Sequence, residues 1–407
     1  MSQKRIDSKK LVARIFGESI RAGIKETETV TQVLASRQAK RFKSFNFSGL
    51  RNLISIGFKH EFGGIDIGSS SVKFVLLGHD GGRLSIKDVQ VEKLVKLSSV
   101  ERSEEKEKEL QNALMKIASH VKSKTKVGIA LNDPSLFAES IVVQRTQKQL
   151  RETVQKELLE KHLIDPAANF FDYVSANTPD PLNNTQGLFV VAAPRELVYR
   201  QFGIAQSAGF RVLSVEINAL ATLCALKRVV RWNQDEKVLF LDIGFHYTNL
   251  GILIGGRLVF NRIIPIGGER FTRAVERQLK CDFESAEQLK IKYGLQKDKS
   301  PEGDQVSKAL EEEVELLLTE VERSFQFAFK MESGSEATRF RNIYLFGGSS
   351  HLALLKEYLE KRWDSPVRSA DLWQDFFNER SIDGDFLKEV NDLMTVALGV
   401  ALRVTEF

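Results

Sequence analysis

Apolar residues in this chain come in short runs that stop at an acid followed by a glycine. The stretch "FGGIDIGSSSVKFVLLGHDGGRL" (62–84) reads as an apolar strand, a bend of glycine and serines, and a second apolar strand. The phrase returns 176 residues later as "VLFLDIGFHYTNLGILIGGRL" (238–258). Asp66 aligns with Asp242, Gly68 with Gly244, and Gly81-Gly82-Arg83-Leu84 with Gly255-Gly256-Arg257-Leu258. A hairpin repeated once, this far apart, predicts two related domains facing each other rather than a solenoid. Further strands are predicted at "TKVGIALN", "LFVVAAP" and "IYLFGG". Helical spacing predicts helices at "ERSEEKEKELQNALMKIASHVK", "KQLRETVQKELLEKHL", "RELVYRQFGIAQSAG", "VEINALATLCAL" (215–226), "ERFTRAVERQL", "ESAEQLKIKYG", "EEEVELLLTEVERSFQFAFK", "HLALLKEYLEKRW" and "MTVALGVALR" (394–403). "ANTPDPLNNTQ" reads as a polar loop.

The repeated bend has a definite chemistry. Glycine allows the tight turn and lets backbone N–H groups approach a ligand, and successive N–H groups form an anion-binding nest. Ser69, Ser70 and Ser71 add hydroxyl donors. A carboxylate in such a nest would repel a bare phosphate, so Asp66 and Asp242 make sense only with a cation in between. Mg²⁺ held by one or two carboxylates, waters and phosphate oxygens meets that requirement. Two such hairpins would grip a polyphosphate from both sides. A third glycine turn, Gly347-Gly348-Ser349, follows the strand at 343–346 and lets a ring or a phosphate approach backbone. Neither GxxxxGK[ST] nor GxGxxG occurs, so neither standard nucleotide motif explains these glycines. Gly267-Gly268 opens a predicted helix whose free N–H groups suit a phosphate. Glu287 and Lys290 lie three apart and so share a helix face.

Composition narrows the class. The chain has 407 residues, 42% of them hydrophobic, which is enough for two or three packed domains. Two cysteines, Cys224 and Cys281, match no metal or redox spacing and suit a reducing compartment. No secretory signal and no membrane-spanning apolar stretch is predicted. Residues 1–60 hold 13 Lys and Arg against 4 Asp and Glu, a net +9, while the rest carries a net −4. This basic leader interleaves its charges with Phe42, Phe45, Phe47, Leu50, Leu53 and Ile54. It reads either as a flexible extension or as a docking extension for a membrane surface or an acidic partner. No nucleic-acid-binding module appears in the rest of the chain, and no nucleic-acid partner is expected.

"GIDIGSSSVKFVLL", "LFLDIGFHYTNLGIL" and "IYLFGGSSHL", in this order and with the two helices at 215–226 and 394–403, resemble the actin-like ATPase superfamily over residues 62–405. Within it the chain is most similar to the PilM branch, through "GIDIGSSSVK", "PRELVYRQFGIAQSAGFRVLSVEINAL", "PIGGERFTRAVERQL", "AEQLKIKYG" and "ALGVALR". The resemblance implies an α/β, actin-like ATPase fold: two RNase H-like domains around a nucleotide cleft, with a small inserted strand–helix–strand subdomain. The boundaries it implies are the leader at 1–60, the first part of domain one at 61–124, the insert at 125–212, a connecting helix region at 213–236, domain two at 237–393, and a returning helix at 394–407.

The resemblance further implies ATP and Mg²⁺ as cofactors. Asp66 and Asp242 would face the metal, and Gly68, Ser69, Ser70, Ser71, Lys73, Gly244 and Thr248 would serve the phosphates. Gly267, Gly268, Glu287, Lys290, Gly347, Gly348 and Ser349 would line the nucleoside side. Glu216 stands where relatives place the residue that orients an attacking water. The implied function is an ATP-binding cytoplasmic scaffold for type IV pilus assembly, peripheral at the inner membrane. It would bind the cytoplasmic tail of a PilN-like inner-membrane protein and link it to other pilus assembly proteins. Alternatives are an FtsA-like cell-division filament protein and a small-molecule kinase of the same fold. Two departures stand out. Phe245, His246 and Tyr247 replace the small residues common in the second phosphate loop, which predicts slow or absent hydrolysis. "VVQRTQKQL" and "KHLIDPAANF" replace family phrases around the insert, so its tail-binding groove is expected to differ.

Overall fold

The computed structural model describes residues 60–80, 83–94, 103–144, 150–175, 185–296, 300–329, 340–378 and 382–405. Residues 1–59 of the basic leader, Gly81-Gly82 of the first hairpin and residues 176–184 of the polar loop lie outside the described residues. The first half runs β1 (His60–Ile67), β2 (Ser71–Asp80), β3 (Arg83–Lys93), α1 (Ser103–Ser119), β4 (Lys126–Leu131), β5 (Phe137–Gln144) and α2 (Leu150–Glu160). It continues through β6 (Asn169–Ser175), β7 (Thr185–Pro194), α3 (Arg195–Ser207), β8 (Arg211–Ile217) and α4 (Asn218–Val229). The second half runs β9 (Lys237–Ile243), β10 (Thr248–Ile254), β11 (Arg257–Ile264), α5 (Gly268–Leu279), α6 (Phe283–Tyr293) and α7 (Pro301–Phe329). It ends with β12 (Asn342–Phe346), α8 (Leu355–Trp363), β13 (Val367–Arg368), β14 (Phe377–Asn378), α9 (Gly384–Val390) and α10 (Thr395–Thr405).

The repeat seen in the sequence is a repeat of topology. The first sheet has the order β14-β3-β2-β1-β4-β8 and the second β11-β10-β9-β12-β13. Each is an antiparallel meander followed by two parallel strands. Parallel neighbours need long crossovers, which the helices supply. In β1, Ile65 faces a core closed by α1 and α3, while Gly64 and Asp66 face α10. A Cβ on Gly64 would lie 2.0 Å from the Ala397 carbonyl, and one on Gly399 would lie 1.9 Å from the Ala221 carbonyl. Glycine at both places lets α10 touch the sheet and α4 backbone to backbone. The outer face of the second sheet is covered by α5, α6, α7 and α8 through Phe271, Ala286, Leu310, Leu318 and Leu355. Each of the buried Phe and Leu side chains contributes about 1.5–3 kcal/mol.

The third sheet, β5-β7-β6, carries α2 on one face through Val154 and Leu158. Its other face places Phe189 and Val191 in a cluster with Val238, Phe240 and Leu253 of the second sheet. Ser140 Oγ donates to the Val259 carbonyl (2.9 Å) and ties β5 to β11.

Several elements differ from the sequence expectation. Val215–Ile217, expected in the first connecting helix, finish β8, because Val215 and Ile217 are β-branched and pair with Ile129 and Leu131 of β4. The helix expected at once after Gly347-Gly348 is a single 3₁₀ turn, Gly348–His351, and α8 begins only at Leu355. The strand "TKVGIALN" sits inside the first sheet between β1 and β8, so the separate third sheet begins at Phe137. Phe377–Asn378 pairs with Ser85 and Ile86, adding an edge to the first sheet from late in the chain.

Candidate functional site

Both repeated turns are built alike. The Gly68 N–H donates to the Ser71 carbonyl (3.1 Å), and the Gly244 N–H donates to the Tyr247 carbonyl (2.9 Å). Asp66 and Asp242 end the strands that enter these turns. Across the first hairpin Asp66 lies opposite Lys73, and across the second Asp242 lies opposite Asn249. Residues directly opposite on an antiparallel pair share a face. Lys73 Nζ accordingly reaches Asp66 Oδ2 at 3.0 Å. Asn249 is buried and its amide oxygen accepts from Asn261 Nδ2 (2.6 Å), so it does not serve Asp242 in the same way. Burial of the Asp242 carboxyl, helped by the charge of Asp66 and opposed by Lys73, pushes its pKa up to about 6.

The two turns meet. The His246 backbone N–H donates to Ser69 Oγ across the cleft (3.3 Å). The Gly268 and Glu269 N–H groups at the start of α5 donate to the carbonyls of Gly244 and Phe245 (2.9 and 2.8 Å). Ser349 Oγ donates to the same Gly244 carbonyl (3.1 Å), so the third glycine turn leans on the second. A Cβ on Gly268 would fall 2.2 Å from Ser349 Oγ, and one on Gly347 would fall 2.5 Å from Asp242 Oδ1. Gly347 also has φ +82°, which L side chains rarely adopt. Behind Gly268, Lys290 Nζ donates to Glu287 Oε2 (2.7 Å) and Thr272 Oγ1 (3.0 Å) and lies 3.5 Å from the Gly268 carbonyl. The Thr272 hydroxyl also bonds Glu287. The i,i+3 pair expected from sequence is thus part of a buried cluster that fixes the start of α5.

Two of the three bulky side chains of the second loop are turned to α5 and α6. His246 Nδ1 lies 2.8 Å from Glu269 Oε2, and the Phe245 ring packs edge-on against Phe283 of α6, 6.3 Å between centroids. Arg273 lies over Phe283 and 3.8 Å from Glu269, completing the anchor. His246 therefore presents its backbone, not its imidazole, to the first loop.

Asp66, Gly68, Ser69, Ser70, Ser71, Lys73, Asp242, Gly244, Gly267, Gly268, Gly347, Gly348 and Ser349 lie on these connected turns. Two expected residues stand apart. Thr248 is fully buried and its hydroxyl donates to the Ile266 carbonyl (2.7 Å), bracing β10. Glu216, next to last in β8, is in register with Ala130, which is in register with Asp66, so two strand spacings of about 5 Å each separate the acids. Its carboxylate accepts from Arg403 Nη2 of α10 (3.3 Å). Sequence reasoning missed Arg403, 187 residues from its partner, for want of any local signal. It also missed Glu269 and Phe283 as anchors of the second loop. Glu269 had a signal, since an acid directly after Gly267-Gly268 sits in the first turn of α5.

Among the described residues no group of His, Cys, Asp and Glu forms a ready metal cluster, and no helix is long and apolar enough to cross a membrane. The cleft brings together two acids, hydroxyls, backbone N–H groups and a lysine.

The family profile for the type IV pilus assembly protein PilM matches residues 64–405. A solved chain from a PilM–PilN type IV pilus biogenesis complex superposes with a TM-score of 0.70 at 23% identity, covering 84% of this chain and 97% of that one. The cell division protein FtsA of Neisseria meningitidis serogroup B is 27% identical over 156 residues, 33% of this chain and 37% of FtsA. FtsA of Buchnera aphidicola subsp. Baizongia pistaciae is 26% identical over 187 residues, 40% and 43% of the two chains. The chain thus spans less than half the length of these curated relatives. The duplicated sheet, its two Asp-Ile-Gly turns and the profile match over nearly all described residues lead to one conclusion: this chain has the actin-like fold and belongs to the PilM family of type IV pilus assembly proteins.

Proposed function

We propose that the protein is a nucleotide-clamped scaffold of type IV pilus assembly, working in the cytoplasm at the inner membrane. The observation that carries this reading is the family match from residue 64 to residue 405. The cleft supports the nucleotide half of it. Asp242 has no hydrogen bond or ion pair to a described residue, and Gly347 lies so close that a Cβ there would fall 2.5 Å from its Oδ1. These residues fit MgATP. Asp66 and Asp242 would hold the metal, and Gly68 to Ser71, Lys73 and Gly244 would hold phosphates. Glu287, Lys290 and Gly347 to Ser349 would hold the nucleoside. Bound ATP would supply a polyanion that ties the two halves together, and at 100 times its dissociation constant it would add about 2.7 kcal/mol of stability. Glu216 is engaged by Arg403 instead of facing the cleft free, which favours slow or absent hydrolysis.

The partner would be the tail of a PilN-like inner-membrane protein, linked through this scaffold to other pilus assembly proteins. The third sheet offers a docking strip: Val142 and Val174 are 59% and 53% exposed on the face that carries Phe189. Titration of a fluorescent PilN-like tail peptide tests this directly. Saturable binding, weakened by Val174→Glu and retained in Asp66→Ala, is expected. No binding by the folded protein at any accessible concentration would overturn it. Calorimetry with MgATP, with phosphate release followed in parallel, tests the cleft. Binding lost in Asp66→Ala with little release is expected, and rapid release would make the protein an enzyme. The partial FtsA matches favour a second reading, a membrane-bound filament. Filaments on anionic lipid with ATP, seen by electron microscopy, would select it.

A further inference from the structure

The duplicated turns bring two carboxylates to one cleft, and Lys73 pairs with the first of them. Lys73 Nζ lies 3.0 Å from Asp66 Oδ2, with the two side chains only 14% and 7% exposed. A Cβ on Gly68 would fall 2.7 Å from that Nζ, so the ammonium is folded back over the glycine bend. At the equivalent place in the second turn Asn249 is uncharged and committed to Asn261. The charges that act on Asp242 are those of Asp66 and Lys73. Lys73 is therefore ion-paired to one acid and within electrostatic reach of the other.

We propose that Lys73 is a built-in counter-ion that excludes free divalent metal from Asp66 and Asp242 and yields the site only when a phosphate arrives with the metal. The second half rests on the nucleotide reading above; the exclusion of free metal does not. A tethered ammonium has a high effective concentration at Asp66, which a free ion must overcome. Displacing it without an anion to receive it would leave a buried charge unpaired, which is costly. A phosphate oxygen supplies that anion through a charge-assisted hydrogen bond, and Asp66 is then released to the metal. Metal and nucleotide binding become coupled through one side chain, in the reciprocal way that linkage demands.

Mn²⁺ is the probe, with its free concentration read by electron paramagnetic resonance in the absence and presence of ADP. Without nucleotide the unmodified protein should bind Mn²⁺ weakly. Lys73→Met should bind it at least ~10-fold tighter, because a divalent ion now fills the vacated counter-ion position. Lys73→Arg should exclude metal like the unmodified protein, and Lys73→Met combined with Asp242→Asn should lose the gain. Lys73→Gln, which can still donate to Asp66, answers the same question should the methionine variant be insoluble. Equal, weak Mn²⁺ binding by Lys73→Met, Lys73→Gln and the unmodified protein would overturn the proposal, even if all of them bind Mn²⁺ with ADP. A gain of Mn²⁺ in Lys73→Met with no ADP binding by any form would leave the counter-ion standing and sink the nucleotide reading.

Discussion

The first and second Asp-Ile-Gly turns share a backbone and have opposite electrostatics. Each closes with the same hydrogen bond between its glycine N–H and the carbonyl three residues on. Seven residues after the aspartate the first has Lys73, ion-paired to Asp66, and the second has Asn249, turned to Asn261. The first turn carries three small serines; the second carries Phe245, His246 and Tyr247, two of them pinned to α5 and α6. Backbone geometry is fixed by the glycines and the ladder and has been kept in both copies. Side chains on the same frame have been free to divide the work, with the neutralising charge on one side and a rigid anchored loop on the other.

The comparison breaks most severely where the third turn backs the second. Gly347→Val forces a side chain into a backbone region that is nearly glycine-only and against Asp242 Oδ1. It should cost 4 kcal/mol or more, on the order of the worst point mutations, and thermal unfolding would register it. Next comes the ion pair. Asp66→Asn leaves Lys73 without its buried partner and should cost about 3 kcal/mol, whereas Asp242→Asn removes a carboxylate that is costly to ionise in the fold and should stabilise the protein at pH 7. Equal losses from the two substitutions, measured by denaturant titration, would erase the asymmetry.

The pH profile sharpens the same contrast. Asp242 is raised to about 6 in the folded metal-free protein, while in the unfolded chain it titrates near 3.8. Its contribution is fully present below pH 3.8 and is lost as the pH rises through 6, because over that window the folded state holds a proton that the unfolded state has released. The loss should amount to roughly 3 kcal/mol, and Asp242→Asn should remove that part of the curve. The smallest effect belongs to His246→Ala. It deletes a half-exposed contact with Glu269 but keeps the backbone bond to Ser69, so less than about 1 kcal/mol is expected. Loop protection in hydrogen exchange should fall more clearly than global stability.

Much of this was legible in the sequence because the informative features are local. The repeat around Asp66 and Asp242 gave both turns, and the spacing of Glu287 and Lys290 placed them on one helix face, where they bond. The amphipathic run after 310 gave α7, though the helix starts earlier, at Pro301. The rest needed contacts between distant parts of the chain. Val215 and Ile217 continue a strand because β4 is there to pair with them, and no local propensity says so. The bracing bond of Thr248 could not be read locally, because the Ile266 carbonyl that its hydroxyl reaches lies 18 residues on. Lys73 was readable as a phosphate contact by resemblance, but its place opposite Asp66 follows only from the hairpin register.

The glycine contact between α10 and α4 bears on how the protein is made. One face of the first sheet, with Gly64 and Gly128, is roofed by α10, and its far edge is finished by β14. A ribosome that has finished α4 must still add residues 230–405, which takes on the order of 10–35 s at typical rates. The second sheet and its covering helices can close during that interval, so the half encoded last should reach its native packing first. The half encoded first must wait with an apolar face open, and that interval is when a chaperone would find its client.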